Sequence, residues 1–343
     1  MDRLAVDSIL KLYPDHFRPR AFYPPPGGPG FSGAVVLCVE TDVGPHCLRG
    51  WPPDVDTDRI AGLHRLLEHV RARGIDFVAV PVGASDGRTL VSALGHRWQW
   101  EPWLPGRADF WERSSDARLT AAMTSLAHLH LAMASFEPIG AEVPWFGTHL
   151  GAIPAAVSER IDRVEGWTGN ALESLWIKIE RSPEEVPGFT AAARSIVAGF
   201  HRSAKRMTVE LRTAQRLRVP VQPCLRDVWH DHVLFVDDAV LGIVDPAAAR
   251  TDTVAADISR LVGSLVGDDP RGWAVALAAY QTVRRLSADE LTLVGVLDRS
   301  GTLLSGMTWL ARRYLTNTTF AHPDRVVARV QRIAQRLEHL AES

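Results

Sequence analysis

The densest group of reactive side chains lies in the segment RDVWHDHVLF, residues 226 to 235. Asp227, His230, Asp231 and His232 fall close together there, and the segment then turns apolar. Carboxylates and imidazoles are common ligands of divalent cations, so the cluster could bind a metal of its own or belong to a larger catalytic loop. One hypothesis is therefore a metallohydrolase centred on His230, Asp231 and His232. No HExxH helix occurs in the chain to support it.

A second carboxylate that could join this chemistry is Asp245, which ends the apolar run LGIVD eighteen residues after Asp227. The intervening HVLFVDDAVLGIVD has two apolar runs around Asp237 and Asp238, a pattern typical of a β-hairpin. Because a hairpin brings its two ends together, we expect His232 and Asp245 to lie close in space, with Asp227 on the incoming loop. Two carboxylates and an imidazole would then form a divalent-cation site.

The elements that would position these side chains begin with an N-terminal region of apolar runs separated by turn residues. This pattern predicts a small sheet with one long helix. The expected elements are, in order, a short helix over 2–13, strands over 34–41 and 46–52, a helix over 57–73 capped by Thr57, and a hairpin that turns at Asp86 and Gly87.

The rest of the chain has a mainly helical pattern, beginning with a strong helix over 117–136. The exception is 219–246, where short strands surround two tight turns. We therefore predict an α+β, bilobal chain with a small β-rich N-terminal lobe over 1–101, a hinge over 102–106 and a larger helical lobe over 107–343.

Two further groups of polar side chains are expected to be structural. The arginine-rich stretch DRVVARVQRIAQRLEHL near the C-terminus predicts an amphipathic helix whose charged face is solvated. His128 and His130 flank Leu129 on a predicted helix, and we expect them to serve packing or the surface.

Composition limits the classes of function. A hydrophobic fraction of 46% and a charged fraction of 23% are ordinary for a globular protein. A net charge of −2 argues against a protein built mainly to bind nucleic acid. The three cysteines lack CxxC spacing, and no long uncharged apolar run occurs in the sequence. The charged N-terminal stretch does not have the pattern expected of a secretory signal. We predict a soluble, cytoplasmic protein with no nucleic-acid or membrane partner; the oligomeric state is not indicated.

A series of motifs runs through the chain: GGPGFSGAVVLCVE, CLRGWP, WQWEPWLPG, LRDVWHDHVLF, IVDP and AADISRL. Their order and spacing, from about residue 28 to residue 262, resemble the aminoglycoside phosphotransferase family, a small-molecule branch of the protein-kinase-like fold. They stand where that family has its nucleotide-binding turn, third strand, hinge, catalytic loop, metal-binding strand end and supporting helix.

This resemblance implies phosphoryl transfer from ATP or GTP to a hydroxyl of a small molecule. Asp227 falls on the family's catalytic base, while His232 and Asp245 fall on its metal ligands, which would hold Mg²⁺ or Mn²⁺. Asp257 would be a buried residue that supports the catalytic loop. His230 and Asp231 become variable loop residues.

On the nucleotide side, the resemblance implies that Arg49 neutralises phosphate charge, with Glu68 on the 57–73 helix as its ion-pair partner. Glu101 and Trp103 belong to the hinge, next to the nucleotide. The glycine-rich turn would bring backbone N–H groups close to the phosphates through Gly28, Gly30, Phe31, Ser32 and Gly33.

The chain departs from the family pattern at three positions. Arg49 replaces a lysine, His232 replaces an asparagine, and Leu225 replaces the histidine before the catalytic Asp. A nucleotide-binding pseudokinase that acts as a binding module is therefore the alternative to an active phosphotransferase. The acceptor is not identified, and the scattered acids of 137–200 give no reason to assume a cationic antibiotic.

Overall fold

The computed structural model describes residues 3–14, 17–25, 34–183, 186–320 and 322–342. An antiparallel sheet precedes a mainly helical region, which confirms the predicted bilobal α+β architecture. The N-terminal elements are α1 (Arg3–Leu10), β1 (Pro19–Tyr23), β2 (Val35–Thr41), β3 (Gly44–Trp51), α2 (Thr57–Ala72), β4 (Val91–Ala93) and β5 (His96–Pro102).

The five N-terminal strands form one sheet in the order β1-β2-β3-β5-β4, with every neighbouring pair antiparallel. Its core packs against α1, and the shared buried side chains include Ile9, Leu48, Trp98 and Trp100. By contrast, the apolar face of α2 belongs to the same hydrophobic cluster as the helical region, through side chains such as Leu66. The predicted lobe boundary at 101–107 stays a prediction, and α2 packs across it.

Two local predictions in this region are wrong. The hairpin turns at Leu94 and Gly95, whose φ angles of 52° and 75° suit a two-residue turn with both residues left-handed, and not at Asp86-Gly87. The 84–88 segment closes on itself as a local turn. The cap of α2 is Asp56 rather than Thr57, because the Asp56 carboxylate accepts from the Arg59 N–H at 2.9 Å.

The helical region begins at α3 and carries the site on a short strand, a loop and a hairpin. Its elements are α3 (Asp116–Ala134), β6 (His149–Ala152), α4 (Ala155–Gly166), α5 (Asn170–Arg181), α6 (Phe189–Ala214), β7 (Val219–Cys224), β8 (Val233–Val236), β9 (Ala239–Ile243), β10 (Arg250–Asp252), α7 (Val254–Val266), α8 (Pro270–Val283), α9 (Ala288–Tyr314) and α10 (Pro323–Glu342). β8 and β9 form the predicted hairpin. Within the described ranges, no helix has the length and apolarity that crossing a membrane requires.

Candidate active site

A cleft of about 1300 Å³ is lined by residues of both the sheet and the helical region. Pockets for one small ligand usually have about 300–1,000 Å³, so this cleft is larger than one small ligand requires. Arg49 and Glu101 line it from the sheet, and Asp227, His232 and Asp245 line it from the helical region. Residues predicted from distant motifs therefore share one cavity.

The loop that carries Asp227 is held by a buried carboxylate. Asp257 on α7 is fully buried and accepts the backbone N–H groups of Leu225 at 2.7 Å and Arg226 at 2.6 Å. Arg226 adopts a left-handed conformation with φ 68°, which costs a non-glycine residue free energy. The two charge-assisted hydrogen bonds compensate for this strain and fix the backbone immediately before Asp227.

His130 completes the support of the loop from α3. Its Nε2 lies 3.0 Å from the Asp257 carboxylate, and its Nδ1 lies 2.8 Å from the Tyr280 hydroxyl. The prediction of a packing role thus holds for His130, but the sequence did not reveal its partner, which lies 127 residues away. Among the described residues, a grouping of three potential metal ligands occurs at His130, Cys224 and Asp257, where these hydrogen bonds already occupy the side chains.

Asp227 itself is half exposed in the cleft. Its Oδ1 accepts from the Arg260 guanidinium, at 2.9 Å from Nη2 and 3.2 Å from Nε. Arg260 lies one helical turn after Asp257 on α7, so one helix face holds both the loop backbone and the carboxylate of Asp227. Sequence reasoning missed Arg260, although its spacing of three from Asp257 was a usable signal.

His232 reaches back to the loop. Its Nε2 accepts the Trp229 indole N–H at 2.9 Å, and because an indole only donates, Nδ1 must carry the proton that it donates to the Asp227 carbonyl at 2.8 Å. Burial lowers the pKa of His232, against the attraction of Asp245 and Asp227. The imidazole is therefore neutral and ties the two ends of the loop together.

Asp245 stands at the far end of the hairpin, where the sequence placed it. Its Oδ2 lies 3.9 Å from His232 Nε2, and its Oδ1 accepts from Arg49 Nη1 at 3.1 Å. Its backbone is left-handed, with φ 57°. This strain at a carboxylate that faces the cleft is typical of functional positions.

The donor atoms fit a divalent cation only in part. The Asp245 carboxylate is a hard oxygen ligand that suits Mg²⁺ or Mn²⁺. At His232 the Nε2 lone pair is already engaged by Trp229, so His232 could bind a metal only after that hydrogen bond breaks.

Arg49 lies on β3 between two carboxylates. Burial lowers its pKa, but the attraction of Glu101 and Asp245 outweighs burial and raises it. At Glu101 burial has the opposite effect and raises the pKa of the carboxyl group, and the charge of Arg49 opposes that rise. Arg49 is thus a fully charged, fixed cation in the cleft.

The predicted pairing of Arg49 with Glu68 is wrong. Glu68 faces solvent on α2, because the inward face of that helix is taken by His64 and leucines. Instead, α2 reaches the Arg49 side of the cleft through buried hydrogen bonds: His64 Nε2 to Gln99 Oε1 at 3.0 Å, and Gln99 Nε2 to Glu101 Oε2 at 2.8 Å. Glu101, predicted at the hinge, is therefore the carboxylate that balances Arg49 from the sheet.

The hinge lines the cleft through Trp103, which is half-buried. Gly106 at its end has φ 104°, and a Cβ there would lie 2.8 Å from the Phe235 carbonyl oxygen. This close approach lets Arg107 exchange two backbone hydrogen bonds with Phe235 and fixes the hinge on the hairpin. The glycine-rich turn with Gly28, Gly30, Phe31, Ser32 and Gly33 lies outside the described residues.

The far side of the cleft differs from expectation. His230 is buried and stacks on Trp111 with ring centroids 3.6 Å apart, and burial together with nearby arginines lowers its pKa to about 3. The His230 ring therefore lies in an aromatic stack, while the His232 imidazole is hydrogen-bonded to Trp229 and to the loop backbone. The hypothesis of a metallohydrolase centred on His230, Asp231 and His232 thus loses its basis.

The prediction that the charged face of α10 is solvated is wrong at Arg329, which is half-buried against Trp229.

These features agree with comparisons to known proteins. The model of the phosphotransferase enzyme family matches residues 26–292, and the chain belongs to this family of small-molecule phosphotransferases. The homoserine kinase of Granulibacter bethesdensis is 24% identical over 278 residues, which cover 79% of this chain and 76% of that protein. The homoserine kinase of Rhizobium etli is 26% identical over 252 residues, which cover 71% of this chain and 67% of that protein.

Solved structures share the fold over nearly the whole chain. Spectinomycin phosphotransferase APH(9)-Ia, in complex with ADP and spectinomycin, has a TM-score of 0.67 at 11% identity, covering 98% of this chain and 99% of that chain. Amicoumacin kinase hAmiN, in complex with AMP-PNP and Ca²⁺, has a TM-score of 0.66 at 13% identity, covering 99% and 97%. The protein-kinase-like fold is therefore established.

Proposed function

We propose that this protein transfers the terminal phosphate of ATP or GTP to a hydroxyl of a small-molecule acceptor, with Asp227 as the catalytic base. The observation that carries the proposal is the convergence of Asp227, Asp245 and Arg49 on one cleft. The family match, and the nucleotides bound in the structural neighbours, support a nucleotide co-substrate.

The reaction breaks the bond from the terminal phosphorus to its bridging oxygen and forms one to the acceptor oxygen. Its transition state is loose, so positioning and charge neutralisation contribute most. Asp227 orients the acceptor hydroxyl and takes its proton, with its carboxylate held through Oδ1 by Arg260. Arg49 neutralises phosphate charge.

A divalent ion bound by Asp245 would supply further neutralisation of the phosphates. His232 acts mainly by holding the loop, through its hydrogen bond to the Asp227 carbonyl. Asp257 acts one step further back, through the backbone of Leu225 and Arg226. These two residues position the catalytic group rather than touch the substrate.

The test is the Asp227→Asn variant, which keeps the shape of the side chain but removes the base. Loss of a positioned base should lower kcat by about 10²–10⁴-fold while leaving nucleotide affinity nearly unchanged. Asp237→Asn is the matched control, because Asp237 is an exposed hairpin-tip residue with φ 51° that Asn tolerates. Equal turnover by the wild type and Asp227→Asn would refute the assignment.

The first acceptor to test is homoserine, because curated relatives over most of the chain are homoserine kinases. Phosphate transfer should be followed as nucleoside diphosphate release with both ATP and GTP. Nucleotide-induced thermal stabilisation without transfer to any acceptor in a broad screen would instead favour the pseudokinase alternative.

A further inference from the structure

The cleft beyond Asp227 is lined by arginines from four helices. Among the described residues, ten arginines line the whole cleft against seven aspartates and glutamates, although the chain as a whole has a net charge of −2. Six of them form what we call the guanidinium cluster: Arg160 and Arg163 on α4, Arg260 on α7, Arg312 on α9, and Arg329 and Arg332 on α10.

The two arginines on α4 are held by neutral groups of α9. Arg160 Nη1 donates to the Ser300 hydroxyl at 2.8 Å and to the Leu297 carbonyl. Arg163 Nη2 donates to the Thr308 hydroxyl at 2.9 Å. Neutral acceptors orient a guanidinium but do not cancel its charge. Glu159, which attracts Arg163, is already paired with Arg226 and Arg250. Positive charge on α4 therefore stays available to a ligand.

The two arginines on α10 are held over aromatic rings. The Arg329 guanidinium carbon lies 3.8 Å from the Trp229 ring centroid and 5.2 Å from that of Trp309. Arg332 lies 3.8 Å from the Trp111 centroid. Stacking fixes the plane of a guanidinium and leaves its N–H edge for hydrogen bonds to carboxylate or phosphate oxygens.

The guanidinium groups of the cluster repel one another. Burial first, and then Arg226 outside the cluster and Arg260 and Arg163 within it, lower the pKa of Arg160 to about 9. Burial and then Arg260 lower the pKa of Arg329 to about 10, against the attraction of Asp231 and Asp227. Arg260, which is paired with Asp227, therefore repels cations on both α4 and α10, and all of these residues line the same cleft. A bound anion would relieve this repulsion.

We propose that the acceptor is a small molecule that carries at least two negative charges, as carboxylates or as a phosphate, near the hydroxyl that it presents to Asp227. This inference rests on the proposed function and adds the substrate class. A polycationic aminoglycoside would be repelled by the same arginines. Homoserine, whose carboxylate is balanced by its own ammonium group, would use only part of the cluster.

The test is isothermal titration calorimetry on the full chain with AMP-PNP and Mg²⁺ present. The probes are malate and glycerol 3-phosphate as hydroxylated dianions, homoserine as a zwitterion and kanamycin as a polycation. We expect at least one dianion to bind about tenfold or more tightly than homoserine, and its affinity to fall as ionic strength rises. Kanamycin should give no binding heat.

Variants then connect the affinity to the cluster. Arg329→Met should weaken dianion binding by about tenfold, the loss expected for one charge-assisted contact, and Arg329→Lys should restore part of it. Arg163→Met tests the cluster independently from α4, because it leaves the stack of Arg329 on Trp229 in place. Arg212→Met, at an exposed position on α6, is the matched control and should change nothing.

Failure of this inference can be told from failure of the proposed function. Phosphate transfer to a neutral or cationic acceptor, with a KM that Arg329→Met and Arg163→Met leave unchanged, would overturn the anionic acceptor and leave the kinase assignment intact. The same variants raising the KM of the nucleotide alone would assign the cluster to the nucleotide phosphates and would also overturn it. Dianion binding without transfer to any acceptor would support the site and count against the kinase.

Discussion

The Asp257→Asn substitution isolates the contribution of one buried carboxylate to the loop that carries Asp227, the proposed base. In the wild type, Oδ1 accepts from the Arg226 N–H, and Oδ2 accepts from the Leu225 N–H and lies 3.0 Å from His130 Nε2. An asparagine of the same size has one oxygen and one NH₂ group. Whichever way it is oriented, a buried backbone donor faces another donor instead of an acceptor.

The size of the effect follows from these contacts. A buried N–H left without an acceptor costs about 1–3 kcal/mol, and the remaining bond loses its charge assistance, so the free energy of unfolding should fall by about 2–4 kcal/mol. Because Arg226 is held at φ 68°, the loop should relax and move Asp227. A misplaced catalytic group commonly costs about 10²-fold in rate.

Urea unfolding and steady-state phosphate transfer measure the two effects. Tyr280→Phe is the control, because it removes only the hydroxyl at the outer end of the same network and should cost about 1 kcal/mol without a large change in kcat. If Asp257→Asn unfolds within about 0.5 kcal/mol of the wild type and keeps its kcat, the reasoning about loop support is refuted; that threshold is the usual size of neutral surface substitutions.

Three further predictions follow from single contacts. Gly106→Ala should destabilise the protein by about 2–4 kcal/mol in urea unfolding, because its Cβ would meet the Phe235 carbonyl and φ is 104°; an unchanged midpoint would contradict it. Burial lowers the pKa of His64 from 6.5 to about 4, so the stability that its neutral form contributes is complete above pH 6.5 and is lost as pH falls towards 4. Between pH 7 and 5 the wild type should therefore lose about 2 kcal/mol more than His64→Gln does; parallel stability curves would disprove it. Trp229→Phe removes the hydrogen bond that competes for the Nε2 lone pair of His232 and should tighten Mn²⁺ binding by up to about tenfold in electron paramagnetic resonance titrations; unchanged affinity would show that His232 stays out of the coordination sphere.

The sequence by itself determined the centre of the site. Asp227, His232 and Asp245 lie within a loop and one hairpin, so local chain geometry is enough to bring them together. The α+β architecture and the family resemblance also follow from local patterns that occur in order. Local patterns did not decide which turn joins the two strands of the hairpin. Leu94-Gly95 and Asp86-Gly87 both suit turns, and only the strand pairing distinguishes them.

Only the tertiary structure decided which side chains surround that centre. Glu68 was a reasonable partner for Arg49 by position along the chain, but the rotation of α2 faces His64 inward and leaves Glu68 in solvent. Arg329 had the pattern of a solvated helix face, yet it lies on Trp229, 100 residues earlier in the chain. Periodicity reveals that a helix has two faces, but which element packs against each face depends on contacts between distant segments, and those contacts arranged the arginines of this cleft.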